Sequence, residues 1–193
     1  MFCPTLVVRA VSVCALLTSL AFTTSALAQS SQDDVVITGG SVVAAESTDS
    51  VRLREAVAYA NPLPRGAPEG GDYPLVAWCD ALVSGHVALG QTLSDPDDLD
   101  QDIIRLGAEE AANFQNALRI ARPRQSVATL ETARAAAEEG AARWIPLMTA
   151  EDLVRDQAFG LFFGLPGRCE HAARRLRDNI TTPPATPAEV GLE

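Results

Sequence analysis

Two cysteines and two histidines in the C-terminal two thirds of the chain have side chains that could bind a metal ion. Cys79 and His86 share one apolar stretch, whereas Cys169 and His171 lie together late in the chain. A zinc site requires four such ligands to converge on one point. Cys169 and His171 are two residues apart on a predicted helix, so their side chains point to different sides of it. The spacing therefore disfavours a metal site, and we expect no metal or other cofactor.

Cys79 and Cys169 instead suggest a covalent link between two helices. Both lie on the apolar face of a predicted helix, one early and one late in the helical region. In an oxidising compartment, two cysteines placed in this way favour a disulfide. A pair of buried thiols and a pair of metal ligands are the alternatives.

His86 lies at the centre of the apolar stripe of its helix, and a buried imidazole needs partners for its nitrogens. If the next helix folds back antiparallel, Glu110 comes within about one turn of His86, so a contact between them is plausible. With Trp78 at the edge of the stripe, these residues form a candidate buried polar or ligand site. Catalysis would require a nucleophile, and Ser84 faces away. We assign no catalytic residue, and the sequence leans against an enzyme.

A second candidate surface is an aromatic segment near residue 160. Phe159, Phe162 and Phe163 belong to a stretch that is apolar on all sides, which is typical of a buried segment. If exposed, the same stretch would be a patch for a partner protein. The basic cluster after it is interpreted as a solvated face that could also receive an acidic partner, and it consists of Arg168, Arg174, Arg175 and Arg177. His171 is expected on that solvated face.

The N-terminal residues 1–28 have the pattern of a secretory signal peptide. Arg9 precedes an apolar run over residues 10–22, and Ala26 and Ala28 are the small residues expected before a cleavage site. This pattern predicts export to the periplasm. The apolar run is shorter than the ~20 residues of a membrane span, so we expect no membrane span in the mature chain.

The charge of the chain narrows the classes of partner. The 193 residues carry 15 arginines, no lysine and 25 acidic residues, a formal net charge of −10. Nucleic-acid binding depends on cations that neutralise phosphates, so this charge disfavours nucleic-acid partners. It disfavours adsorption to anionic lipid for the same reason.

The elements that position these residues are predicted to be helices. Residues 29–72 are interpreted as a flexible arm that contains one short strand near 35–37, a possible short helix over 51–60 and a Pro/Gly-rich linker. Residues 73–180 form a helical bundle domain, and residues 181–193 form a disordered tail. Apolar periodicity and capping signals predict helices over 74–93, 97–122, 127–145, 149–163 and 168–180. Short connections between them predict an all-α, up-down antiparallel bundle of about four to five helices.

Two short motifs resemble an exported helical protein family of alphaproteobacteria to which no function is assigned. The first is DYPLVAWC over residues 72–79, followed by Gly85 and His86. The second is LPGRCE over residues 165–170. The resemblance covers roughly residues 73–178 and implies that the two cysteines belong together, without implying an activity.

Two functions follow as expectations from these observations. The first is a non-catalytic structural or protein-interaction role in the cell envelope, with an unidentified envelope protein as partner. The alternative is a bundle that binds a small ligand or cofactor in the interior around Trp78 and His86. An apolar pocket near His86 would favour the second expectation.

Overall fold

The computed structural model describes residues 35–38, 41–44, 47–162 and 164–192, and the chain divides into two compact units at residue 45. The first unit contains an antiparallel pair of strands, β1 (Val35–Thr38) and β2 (Ser41–Ala44), with Val35 opposite Ala44. The sequence analysis expected one strand without a partner. The Gly-Gly dipeptide between the two apolar runs is a hairpin signal that it did not use.

The second unit is built around α2 (Asp72–Gly90). This helix contacts α3 (Asp98–Ala121), α4 (Val127–Ala142), α6 (Asp152–Gly160) and α7 (Gly167–Arg177). Because it is enclosed on several sides, α2 buries more residues than the single stripe that its sequence predicts. Its fully buried side chains include Val76, Trp78, Cys79 and Leu89.

The starts of α3 and α4 follow directly from capping residues. Asp97 accepts a hydrogen bond from the backbone N–H of Asp100, and the Asp100 carboxylate accepts one from the N–H of Asp97. This reciprocal capping box satisfies two amides that a helix start leaves free. Ser126 caps α4 by accepting a hydrogen bond from the Thr129 N–H. Both starts agree with the sequence prediction.

The later helices are shorter than predicted. The helix expected over 127–145 divides into α4 and the short α5 (Ile145–Met148), because Pro146 denies the chain an amide donor. The helix expected from residue 149 begins at Asp152, after Glu151. Short 3-10 turns at Arg122–Arg124 and Ala188–Val190 complete the described helical segments.

Side-chain neighbours give the relative direction of the helices. Between α2 and α3, the later residue Gly90 lies beside Ile104 and the earlier Asp80 is bonded to Gln115, so these helices run antiparallel. Between α2 and α4, Gly85 lies beside Trp144 and the earlier Trp78 lies beside Gly140, so these run parallel. The structure therefore confirms the predicted all-α, up-down bundle.

Helix α1 (Thr48–Ala60) lies within the region that the sequence assigned to the flexible arm, but it is a folded element of the helical unit. It packs against α7 and buries Ala56 completely. The C-terminal residues expected to form a disordered tail also return to this region, since the turn Ala188–Val190 contacts α1.

Candidate functional site

The two cysteines of the bundle form a disulfide between α2 and α7. The Cα atoms of Cys79 and Cys169 are 6.1 Å apart, and both side chains are buried. This separation lies within the range that a disulfide requires, so the predicted pairing is confirmed and the thiols are not free metal ligands. Among the described residues, no group of three or more His, Cys, Asp or Glu side chains is arranged to hold a metal ion.

His86 lies in an aromatic cluster that also contains Trp144, Phe159 and Phe162. Its ring stacks on Phe159 with centroids 4.3 Å apart, and it contacts Phe162 at 4.5 Å and Trp144 at 5.6 Å. Its Nε2 lies 3.0 Å from the carbonyl oxygen of Phe159. Because a carbonyl only accepts, Nε2 must carry the hydrogen in this bond. The imidazole thus ties α2 to the last turn of α6.

The surroundings of His86 favour the neutral imidazole. Burial lowers its pKa, because the charged form loses hydration, and the hydrogen bond to the Phe159 carbonyl partly opposes this effect. Its contacts with three aromatic rings and a main-chain carbonyl are those of a residue that supports the structure of α6.

Glu110 does not meet His86, contrary to the predicted contact. It lies in a separate small cleft with Asn113, Glu170 and Arg177. Burial and, to a smaller extent, the charge of Glu170 raise the pKa of its carboxyl. We predicted Glu110 one turn from His86 by considering only the antiparallel pairing of α2 with α3. In the structure α6 also packs against α2, and it occupies the position beside His86.

The aromatic segment is mostly core. Phe159 is 2% exposed, Phe162 is half-buried and packs edge-on against Trp144 at 5.5 Å, and Phe163 lies outside the described residues. Phe159 therefore does not belong to an exposed aromatic patch. The exposed apolar side chains nearby are instead Ile145, Leu153 and Leu161, each 67% exposed.

One wall of the aromatic cluster also borders an open cleft of about 420 Å³, which we call the tryptophan cleft. Trp78 and Trp144 lie in its floor and are 1% and 7% exposed. The remaining lining residues are Pro64, Leu82, Arg143, Leu147, Phe162, Gly164, Leu165 and Pro166. His86 is not among them, but its ring partners Trp144 and Phe162 are, so His86 supports one wall from behind.

The chemistry of the tryptophan cleft is almost entirely apolar. The indole N–H groups of Trp78 and Trp144 are buried and have no hydrogen-bond partner in the part of the chain that the structure describes. Arg143 is the charged residue in the lining. Trp78 was predictable from the sequence, whereas Arg143 and the cleft were not, because the lining comes from chain segments far apart in sequence.

The predicted basic face of α7 is also different in the structure. Arg175 is 6% exposed and bonds Glu55 at 2.9 Å and Asp72 at 3.0 Å, and Arg174 bonds Glu55 at 2.6 Å. His171 is also buried rather than solvated. The expectation of a solvated face is wrong for these residues because α1 covers it.

Tyr59 extends this buried salt-bridge network. Its hydroxyl donates to Asp72 at 2.6 Å, and the Arg168 guanidinium lies 4.3 Å from its ring centroid. Burial and the hydrogen bond to Asp72 raise the pKa of Tyr59 far above its usual value. The network joins α1, α2 and α7, and its charges are mutually paired, so it fits a structural role better than a ligand site.

Comparison of the chain with protein-family models, curated protein sequences and solved structures found no match. The resemblance to an exported alphaproteobacterial family therefore stays a prediction. None of the described helices has both the length and the apolar character that a membrane span requires.

Proposed function

We propose that this protein is a non-catalytic helical bundle of the periplasm that binds a small apolar ligand in the tryptophan cleft. The observation that carries the proposal is the cleft itself, at about 420 Å³ with two tryptophans in its floor. Sites for small molecules are typically concave, mainly apolar and roughly 300–1,000 Å³ in volume. The cleft meets each of these criteria and lies beside the predicted Trp78 and His86 site.

The rigid surroundings of the cleft support the same proposal. Trp144 is held by the aromatic cluster on one side and by Gly85 on the other. A preformed site binds with less loss of conformational freedom than a site that must first be ordered. The disulfide between α2 and α7 is the kind of link that persists in an oxidising compartment, which supports the periplasm as the location.

Titration with N-phenylnaphthylamine, a neutral probe that fluoresces in apolar sites, tests the proposal. We expect the native protein to bind it at one saturable site. Replacing Leu147 in the lining with tryptophan should reduce the affinity at least tenfold, because the larger ring fills part of the cleft. Leu153→Trp is the matched control, since Leu153 is exposed and lies outside the cleft. Absence of saturable binding, or equal binding by both variants, would contradict the proposal.

A partner-binding role in the cell envelope is the second candidate. It is favoured by the exposed apolar side chains Ile145, Leu153 and Leu161, which belong to or adjoin α5 and α6. Exposed apolar side chains mark an interaction site when they form a contiguous patch. The combined variant Leu153→Glu and Leu161→Glu should then lose a partner captured by the native protein while it retains probe binding in the cleft.

A further inference from the structure

The tryptophan cleft has an uneven distribution of charge that bears on its ligand. Its lining is apolar except for Arg143, whose side chain is exposed to solvent at the end of α4. The chain as a whole has a formal charge of −10, whereas the charged residue among those described in the lining is positive. The cleft therefore presents apolar surface with one positive group.

The position of the Arg143 guanidinium is fixed by two contacts. Its Cζ lies 5.2 Å from the centroid of the Trp78 ring, and its Nη2 donates a hydrogen bond of 2.7 Å to the carbonyl oxygen of Arg65. The Trp78 ring and the carbonyl hold the cation beside the cleft. A guanidinium has five N–H donors, so this arrangement leaves donors for a further acceptor.

Arg143 also lacks a carboxylate partner among the described residues. No described acidic side chain has an oxygen within 4.0 Å of its nitrogens. Arg143 and Glu139, which is one turn earlier on α4, both lie near Gly66, but their side chains do not form an ion pair with each other. Arg134 on the same helix differs, because it is paired with Glu138 at 2.7 Å.

We propose that the ligand of the tryptophan cleft is an amphiphilic monoanion, such as an aliphatic or aromatic carboxylic acid. Its apolar part lies against the partly exposed side chains of Leu147, Phe162 and Leu165, and its anionic group pairs with the guanidinium of Arg143. This inference rests on the proposed function of the cleft. Guanidinium groups recognise carboxylates through paired hydrogen bonds, and the described residues that line the cleft include no acidic side chain.

Binding of dansylundecanoic acid and of its uncharged methyl ester, measured at neutral pH on the full chain, tests the inference. We expect the native protein to bind the acid about fivefold more tightly than the ester, as for an exposed ion pair of up to ~1 kcal/mol. Arg143→Gln should abolish this preference, so that the acid and the ester bind this variant equally. Arg134→Gln removes the same charge from the same helix and should retain the preference. Added salt should weaken binding of the acid to the native protein but not to Arg143→Gln.

The outcomes separate this inference from the proposed function. Equal binding of acid and ester by the native protein, or a preference that persists in Arg143→Gln, would overturn the anionic ligand while the apolar site stands. If neither compound binds, or if Leu147→Trp binds both as well as the native protein, the cleft is not the ligand site and both proposals fail.

Discussion

A buried histidine in an aromatic cluster makes the stability of this protein depend on pH. His86 is 3% exposed, and its Nε2–H bonds to a main-chain carbonyl of α6. Burial lowers its pKa in the folded protein. The unfolded chain, in which the imidazole is hydrated, therefore binds a proton more readily than the folded chain does.

We expect stability to fall as the pH decreases below about 6.5, the ordinary pKa of histidine. The contribution of a neutral His86 is complete above that pH and is lost progressively until the pH reaches the lowered folded value. The variant His86→Gln should have a lower melting temperature at neutral pH, because the stacking with Phe159 is lost. It should also show a smaller decrease between pH 7 and pH 5. Thermal unfolding followed by circular dichroism measures both effects.

His171 must be considered in the same experiment, because burial also lowers its pKa. The variant His171→Gln should remove its own part of the pH dependence and leave the part due to His86. If His86→Gln shows the full pH dependence of the native protein, the imidazole is not held neutral by the fold.

The burial of His86 was predictable from sequence, but its partner was not. The apolar residues around it on α2 identify an inward position. The acceptor is a backbone carbonyl of Phe159, and every residue has such a carbonyl, so no residue type marks it. The same holds for Arg143, whose partners are a ring and a carbonyl from distant segments.

At the scale of helices, two glycines allow α2 and α4 to lie close together. A Cβ atom at Gly140 would lie 3.0 Å from the carbonyl oxygen of Trp78. One at Gly85 would lie 2.1 Å from Cδ1 of Trp144. The indole ring thus occupies the space that a side chain at residue 85 would need, and this contact sets the position of the cleft floor.

The variant Gly85→Ala should therefore destabilise the protein, although alanine is the better helix former. Overpacking of a core costs typically ~1–3 kcal/mol, which exceeds the gain of ~1 kcal/mol expected from helix propensity. Because Trp144 must move, binding of the neutral probe should weaken as well. Urea unfolding gives the free energy, and the probe titration gives the affinity.

Gly160 provides the matched control at the end of α6, since a Cβ there would meet nothing within 4 Å. The variant Gly160→Ala should leave stability unchanged or raise it slightly, and probe binding should be unaffected. A Gly85→Ala variant as stable as Gly160→Ala would show that Trp144 is not packed against residue 85.

The helices with strong periodicity and capping signals, α2, α3 and α4, were predictable within a few residues at most ends. The docking of α1 was not, because it depends on pairing between residues that are far apart in sequence. Glu55 and Arg175 look like ordinary surface charges on their own helices, and only their mutual contact offsets the cost of removing both charges from water. The same contact explains why Arg175 and His171 are not solvated.

For the whole molecule, the disulfide and the salt-bridge network tie the ends of the helical unit together. The bond joins residues 90 positions apart, and the enclosed chain includes α3, α4, α5 and α6. The network joins α1 to α2 and α7 outside that loop. The pairing of the cysteines followed from their types and their predicted compartment, whereas the network could not be predicted without α1.

Removal of the disulfide should cause a large loss of stability. In the chain-entropy account, a loop of this length contributes about 4–5 kcal/mol, because the bond restricts the unfolded chain more than the folded one. The variant with both Cys79→Ala and Cys169→Ala should show this loss in urea unfolding. The measurement is made on the chain from Gln29, in which these are the only cysteines.

Reduction of the native protein gives an independent measure of the same bond. A reducing agent should lower the stability of the native chain to approximately that of the double variant and should not change the variant. Because α6 and most of the residues that line the tryptophan cleft lie within the loop that the bond closes, the reduced protein should also release the neutral probe at a lower urea concentration. A loss below about 1 kcal/mol would mean that the unfolded chain is already restricted by residual structure without the bond, since a loop of this length should otherwise contribute several times more.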